Sequence, residues 1–148
     1  MYIELKEDGL RGRGRIGRVA FSQTGRTLYY AGRTLAPLTG RALKANHFDT
    51  QTMEEFWISR PRADGRDSLF PTTVEVDDDA REEYWRDVRR TSDAPASYKS
   101  PGKSGRERDA LEKAVRRRDM DRRWRATRPG AEADARAPRD TDDGSQAP

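Results

Sequence analysis

The clearest structural signal in the sequence is the segment KANHFDTQTMEEFWIS, residues 44–59. Its two ends, 44–48 and 54–59, carry the aromatic and aliphatic residues that favour strands, and Asp49–Thr52 between them has the composition of a turn. The segment therefore predicts a β-hairpin, and we expect the protein to be built around paired short strands.

Further short strands are predicted on both sides of this hairpin. Gly25 can supply the positive φ of a tight turn between two of them. Several short strands at this spacing predict a small antiparallel barrel-like or strongly twisted sheet. The predicted strands are residues 2–5, 16–21, 27–30, 34–35, 69–70 and 73–76, the last two being short edge strands.

One helix is predicted after the strands, over residues 77–90. Asp77–Asp79 offers N-cap side chains and negative charge at the positive end of the helix dipole, and Asp79 with Glu82 has the spacing of a capping box. We expect Tyr84 and Trp85 to pack on the sheet beside Phe48, Phe56 or Trp57. The fold class is therefore mainly β with one C-terminal helix (α+β).

Composition divides the chain into two parts. Only 32% of the residues are hydrophobic and 38% are charged, which is too little apolar material for one core of 148 residues. The large apolar residues concentrate before residue 91. The prediction is a small β-rich domain over 1–92, closed by the helix 77–90, and a charged, low-hydrophobicity tail over 93–148.

The tail predicts little structure of its own. Its segment 106–125 lacks Pro and Gly, so it could form a lone solvated helix. Residues 129–148 are expected to be disordered. No apolar run approaches the roughly 20 residues that a membrane helix needs, and Cys is absent, so a cytoplasmic protein without a membrane partner is expected. No cofactor and no metal site are predicted.

A stretch rich in Gly and Arg lies at residues 11–19. Its letters from Gly12 to Val19 match the G-x-G-x-x-G-x-V pattern of phosphate loops, but the expected helix does not follow, which favours a Gly-rich connection between strands. Clustered arginines beside aromatic residues are typical of nucleic-acid binding. The candidate phosphate contacts are Arg11, Arg13, Arg15, Arg18, Arg116, Arg117, Arg118, Arg122 and Arg123.

The hairpin 44–59 carries a second group of candidates. We expect a surface or pocket formed by Asn46, His47, Asp49 and Trp57. His47 is the one histidine, and its ordinary pKa suits a general base, but no nucleophile is evident near it. An enzyme with a site around His47, Asp49 and Glu55 is therefore kept as the weakest alternative.

Several of these motifs are shared with a known family. The segments RIGRV at 15–19, GRTLYY at 25–30, KANHFD at 44–49, EFWIS at 55–59 and EEYW at 82–85 resemble a family of small bacterial proteins of uncharacterised function. Some of its members are catalogued as 1-deoxy-D-xylulose-5-phosphate synthase, a far longer enzyme whose thiamine diphosphate and magnesium motifs are not found in this sequence. The resemblance covers residues 1–90, implies a bacterial cytoplasmic setting and supplies no catalytic residue.

Three functions remain open from the sequence. The first is a non-enzymatic interaction module that binds a protein partner through an aromatic and basic surface. The second is a nucleic-acid-binding protein that uses the Gly-Arg loop and the basic tail. The third is an enzyme of unknown reaction. Because residues 1–92 are close to electrically neutral, an electrostatic function is expected first in the tail or the Gly-Arg loop.

Overall fold

Short paired strands are the largest part of the regular structure among the described residues, as the mainly β prediction expects. The computed structural model describes residues 1–8, 10–39 and 44–127. Within them the strands are β1 Tyr2–Asp8, β2 Arg11–Ile16, β3 Ala20–Phe21, β4 Leu28–Tyr30, β5 Arg33–Pro37, β6 His47–Asp49, β7 Glu55–Ser59, β8 Thr72–Val76 and β9 Ser97–Ser100. The helices are α1 Asp78–Glu83 and α2 Gly105–Thr127.

All nine of these strands belong to one sheet, in the order β3-β4-β5-β6-β7-β1-β2-β8-β9. The neighbours pair antiparallel except β2 and β8, which are parallel. The sheet is open, with β3 and β9 at its edges, so the mainly β class is confirmed but the sheet does not close into a barrel. The prediction that residues 73–76 form an edge strand is wrong, because β8 lies between β2 and β9.

Successive residues of β1 point to opposite faces of the sheet, and each face carries its own apolar cluster. The helix face, as we name it, is centred on Tyr2, Ile16 and Val74, and it is covered by Tyr84 and Trp85. The hairpin face is formed by Ile3, Leu28, Leu35, Phe56 and Ile58. Two apolar faces explain why 55–59 and 2–5 contain neighbouring large apolar residues instead of a strict alternation.

The predicted hairpin at 44–59 is confirmed, because β6 and β7 pair with His47 opposite Phe56. The single strand predicted over 16–21 is wrong: β2 ends at Ile16 and β3 begins at Ala20. Gly17 follows β2 and still pairs with Met1, donating its N–H to the Met1 carbonyl at 3.0 Å and accepting from the Met1 ammonium at 2.6 Å. A Cβ at Gly17 would lie 2.5 Å from Tyr30 and Asp77, so a crowded site requires this glycine. Residues 69–70 also lie outside the strands.

The predicted helix 77–90 forms as α1 followed by a π-helical turn over Tyr84–Val88. Trp85 is 6% exposed and packs on the helix face with Trp57 at its border, as expected, whereas Phe56 lies on the hairpin face. Asp77 occupies the N-cap position without a side-chain cap bond. Its carboxylate instead accepts hydrogen bonds from Arg15 and Tyr30, so it ties the helix start to the sheet.

The sheet continues past residue 92, where the sequence prediction places the start of the tail. Strand β9 pairs with β8, and Tyr98 stacks on Tyr84 at 5.8 Å between ring centroids. The Tyr98 hydroxyl donates to Asp67 at 2.5 Å. Composition misses β9 because its pairing is made by backbone groups and only Tyr98 brings an apolar side chain.

Helix α2 begins with a capping box that the sequence prediction did not include. The Ser104 oxygen accepts from the Glu107 N–H at 3.4 Å, and the Glu107 carboxylate accepts from the Ser104 N–H at 3.0 Å. The helix predicted over 106–125 is therefore present with slightly wider bounds. The disorder predicted for 129–148 lies outside the described residues. Among the described residues, no helix is long and apolar enough to cross a membrane.

Candidate functional site

The outward side of α2 carries a basic stripe that contains two large apolar side chains. Its members follow i, i+3 and i+4 spacing, so they are neighbours along one side of the helix. All six are exposed, Met120 to 71% and Trp124 to 63%. These six positions hold four cations and no carboxylate. The α2 stripe, as we name it, is Lys113, Arg116, Arg117, Met120, Arg123 and Trp124.

A cleft beside α2 brings arginines from two distant segments to one aromatic ring. The Arg11 guanidinium, from β2, lies 4.7 Å from the centroid of the Phe70 ring. The Arg108 guanidinium, from α2, lies 5.9 Å from the same centroid. Arg116 lines this cleft, which has a volume of about 350 Å³. The Phe70 cleft therefore joins the start of β2 to the α2 stripe.

The remaining predicted arginines do not share this surface. Arg15 pairs with Glu75 at 3.1 Å and with Asp77 at 2.9 Å. Arg18 pairs with Glu83 and donates to the Asp79 carbonyl. Helical spacing places Arg118 and Arg122 on the other side of α2, in line with Leu111. Of the nine predicted arginines, Arg11, Arg116, Arg117 and Arg123 thus belong to the α2 stripe or to the Phe70 cleft.

The Gly-Arg segment is a strand and not the loop that the sequence predicts. Its arginines alternate with glycines because the helix face of β2 is crowded by β1. A Cβ on Gly14 would lie 2.7 Å from the Tyr2 hydroxyl, and one on Gly12 would lie 1.7 Å from the Leu5 carbonyl oxygen. Glycine at these positions allows the two strands to pair, and Arg13 and Arg15 then point to the hairpin face, whereas Arg11, beyond an irregularity in the β1–β2 register, lies at Phe70.

The candidates on the β6–β7 hairpin stabilise that hairpin. The Asn46 side chain donates to the Ile58 carbonyl at 2.7 Å and accepts from the Ile58 N–H at 2.8 Å, as a strand backbone would. The buried Asp49 carboxylate accepts from the Gln51 N–H, and this bond holds the turn and lowers the pKa of Asp49. Arg33 also donates to Asp49, at 2.8 Å.

Trp57 lies apart from these residues, on the helix face. It lines a cavity of about 450 Å³ between the sheet and α2, together with Glu4, Lys6 and Lys103. Glu4 and Lys6 form a buried ion pair at 2.7 Å, and burial lowers the pKa of Lys6. The Lys103 ammonium lies 5.9 Å from the Trp57 ring centroid. The four predicted residues of this hairpin therefore do not converge on one surface.

The enzyme alternative gains no support from this arrangement. His47 lies opposite Phe56 and shares the hairpin face with Asp49, whereas Glu55 lies opposite Phe48 on the helix face. The His47 ring is hydrogen-bonded to the neighbouring Asn46 amide at 3.0 Å, and burial lowers the pKa of His47. Glu55 pairs with Lys44 at 3.0 Å. The three groups thus do not form one site.

Comparison of the chain with protein-family models, with curated proteins and with solved structures finds no match in any of the three. The resemblance of residues 1–90 to small bacterial proteins therefore stays a prediction.

The candidates predicted from the sequence do not include Phe70, Arg108, Lys113 or Met120. Phe70 is predicted in a short strand, and the other three lie in the predicted tail. The i, i+3, i+4 spacing from Lys113 to Trp124 was readable in the sequence and could have identified the stripe. The contact of Arg11 and Arg108 with Phe70 could not have been predicted from the sequence, because it depends on how α2 packs against the sheet.

Proposed function

We propose that the protein is a non-enzymatic interaction module that binds single-stranded nucleic acid through the α2 stripe and the Phe70 cleft. The observation that carries this proposal is the meeting of arginines from β2 and α2 at Phe70, continuous with a stripe of four exposed cations. Cations of the stripe would contact successive phosphates, which dominate affinity for nucleic acids.

The aromatic residues give the surface its preference for unpaired bases. Bases in a single strand are free to stack on exposed aromatic side chains, and such stacking contributes about 1–3 kcal/mol per base. Trp124 is the exposed aromatic residue of the stripe, and Met120 lies beside it on the same side of the helix. A duplex keeps its bases stacked, so it would gain only the phosphate contacts.

The test is fluorescence anisotropy with a labelled 20-nucleotide single-stranded RNA, repeated at increasing salt. With about four phosphate contacts, the logarithm of the binding constant should fall against log[salt] with a slope of about −3. The double variant Arg116→Glu/Arg117→Glu should bind at least tenfold more weakly. The matched control Arg26→Glu/Arg60→Glu makes the same change of net charge at exposed arginines elsewhere. This control should bind the RNA more tightly than Arg116→Glu/Arg117→Glu does.

Two outcomes would reject the proposal. One is an absence of binding by the unaltered protein at low salt. The other is an equal loss of affinity in both double variants, which would mean that net charge alone attracts the RNA.

A protein partner is a second candidate, favoured by the β3–β4 edge of the sheet. Phe21 and Tyr29 are 55% and 46% exposed there, and an edge strand leaves backbone groups available for pairing. The double variant Phe21→Ser/Tyr29→Ser should lose any bacterial protein that the unaltered chain captures from lysate at low salt. Capture that is unchanged in this variant would count against the edge.

A further inference from the structure

A groove of about 640 Å³ lies on the hairpin face, separate from the α2 stripe. One wall is β2, and the other is the turn between β4 and β5. The floor is apolar and includes Ile3, Leu5 and Phe56. At one end the Tyr30 hydroxyl donates to Asp77 at 2.7 Å, so the β4–β5 hairpin is fastened to the start of α1. The groove has the size of a small-molecule site.

Three arginines line this groove, and two of them are each paired with two carboxylates. Arg15 is paired with Glu75 and Asp77, and Arg33 is paired with Asp49 and Glu54. Arg13 differs from both. Within the part of the chain that the structure describes, no ion pair or hydrogen bond engages its guanidinium. Among the described residues, Arg13 is therefore the arginine of the groove that no carboxylate engages, and it lies next to the apolar floor.

The alternation of Arg and Gly in β2 is what orients Arg13. Because Gly12 and Gly14 occupy the positions that face β1 side chains and backbone, the residue between them must point to the hairpin face. Arg15 already engages two carboxylates, which leaves Arg13 as the arginine able to turn toward a ligand. A guanidinium binds carboxylate and phosphate groups through paired hydrogen bonds.

We propose that this groove binds a small molecule with a planar apolar body and a single anionic group, with Arg13 holding the anion. The apolar body would lie over Leu5, between β2 and the Tyr30 ring, since the Arg33 guanidinium already lies 5.5 Å from the centroid of the Phe56 ring. The anion would stay at the mouth of the groove, where Arg13 reaches it. Carboxylate and phosphate offer the same chemistry to Arg13, and the probes below separate them.

The test is an NMR titration of the full-length ¹⁵N-labelled protein with three probes: phenyl phosphate, benzoate and benzyl alcohol. We expect saturable shifts of the amides of Gly12–Arg15 and of Ala31–Arg33 with the first two probes. The uncharged alcohol should bind at least tenfold more weakly. Tighter binding of phenyl phosphate than benzoate would assign the anion as phosphate, and the reverse order would assign a carboxylate.

The variant Arg13→Gln should weaken the anionic probe by about tenfold, as expected for loss of a hydrogen bond to a charged group. It should leave the thermal melting temperature unchanged, because Arg13 is exposed. The matched control Arg26→Gln, also at an exposed arginine, should bind the probe as the unaltered protein does. Absence of saturable shifts in the groove, or equal affinity in Arg13→Gln and the unaltered protein, would overturn the proposal.

Discussion

Gly12 shows at the residue scale how close contact between strands restricts side-chain choice. The Leu5 carbonyl oxygen lies where a Cβ of residue 12 would be, only 1.7 Å away. The variant Gly12→Ala should therefore lower the free energy of unfolding by about 3 kcal/mol, the upper end for overpacked sites. Urea denaturation measures this change. The control Gly105→Ala, whose Cβ would meet nothing closer than 3.9 Å, should leave stability unchanged or slightly raised; an equal loss in both variants would contradict this account.

His47 predicts a pH dependence of stability. Because burial lowers its pKa below the ordinary 6.5, the unfolded chain binds the His47 proton more tightly than the folded one. Stability from this group is complete above pH 6.5 and is lost as the pH falls from that value toward the folded pKa.

The melting temperature of the unaltered protein should therefore decline from pH 7.5 to 5.5 more than that of His47→Gln. Burial raises the pKa of Asp67, which acts in the opposite direction but is present in both proteins. Identical declines in the two proteins, followed by circular dichroism, would contradict this assignment.

The residue types predicted where the strands lie better than they predicted what the polar side chains of those strands bind. Asp49 and Asn46 were recognised as belonging to a hairpin with a turn, and both lie there. That Asn46 pairs with the Ile58 backbone could not be predicted, because the same residue type equally suits a solvent-exposed ligand site. The local sequence pattern predicts strands and turns, whereas the hydrogen-bond partner of a polar side chain depends on the register between paired strands.

At the scale of elements, β9 and the helices show a similar division. The hairpin β6–β7 and the helical segment after Asp77 were predicted from local signals alone. Strand β9 was not, because a single Tyr among Ala, Ser and Pro gives no periodic pattern. The end of β2 was also not predicted, because apolar residues on both faces of the sheet make residues 16–21 resemble one continuous strand.

Helix α2 predicts an uneven stability along its length. Residues 116–124 are all exposed, whereas Leu111 and Ala114 in the first half contact the cavity beneath. Isolated helices shorter than about 12–15 residues are marginal in water. Amides of 116–124 should therefore exchange hydrogen faster than those of 109–115 and should become protected when single-stranded RNA is added. Equal exchange in the two halves, unchanged by RNA, would contradict this prediction.

At the scale of the whole molecule, the folded unit extends to β9. A chain ending at residue 104 keeps Tyr98 against Tyr84 and Trp85, and a chain ending at residue 92 loses it. The shorter chain should be less stable by roughly 3–5 kcal/mol, since it loses the partly buried Tyr98 ring together with the pairing of β9 to β8. The urea midpoints of the two chains measure this difference. Equal midpoints would support a domain boundary at residue 92.

The central claim is that the α2 stripe and the Phe70 cleft form one surface for single-stranded nucleic acid. The most direct measurement is a ¹⁵N–¹H spectrum of the full-length protein titrated with unlabelled single-stranded RNA at low salt. The account predicts that the largest shifts fall on residues 113–124, including the Trp124 indole, and on Arg11. Shifts confined to the β3–β4 edge or to the hairpin face, or a spectrum that RNA leaves unchanged, would contradict it.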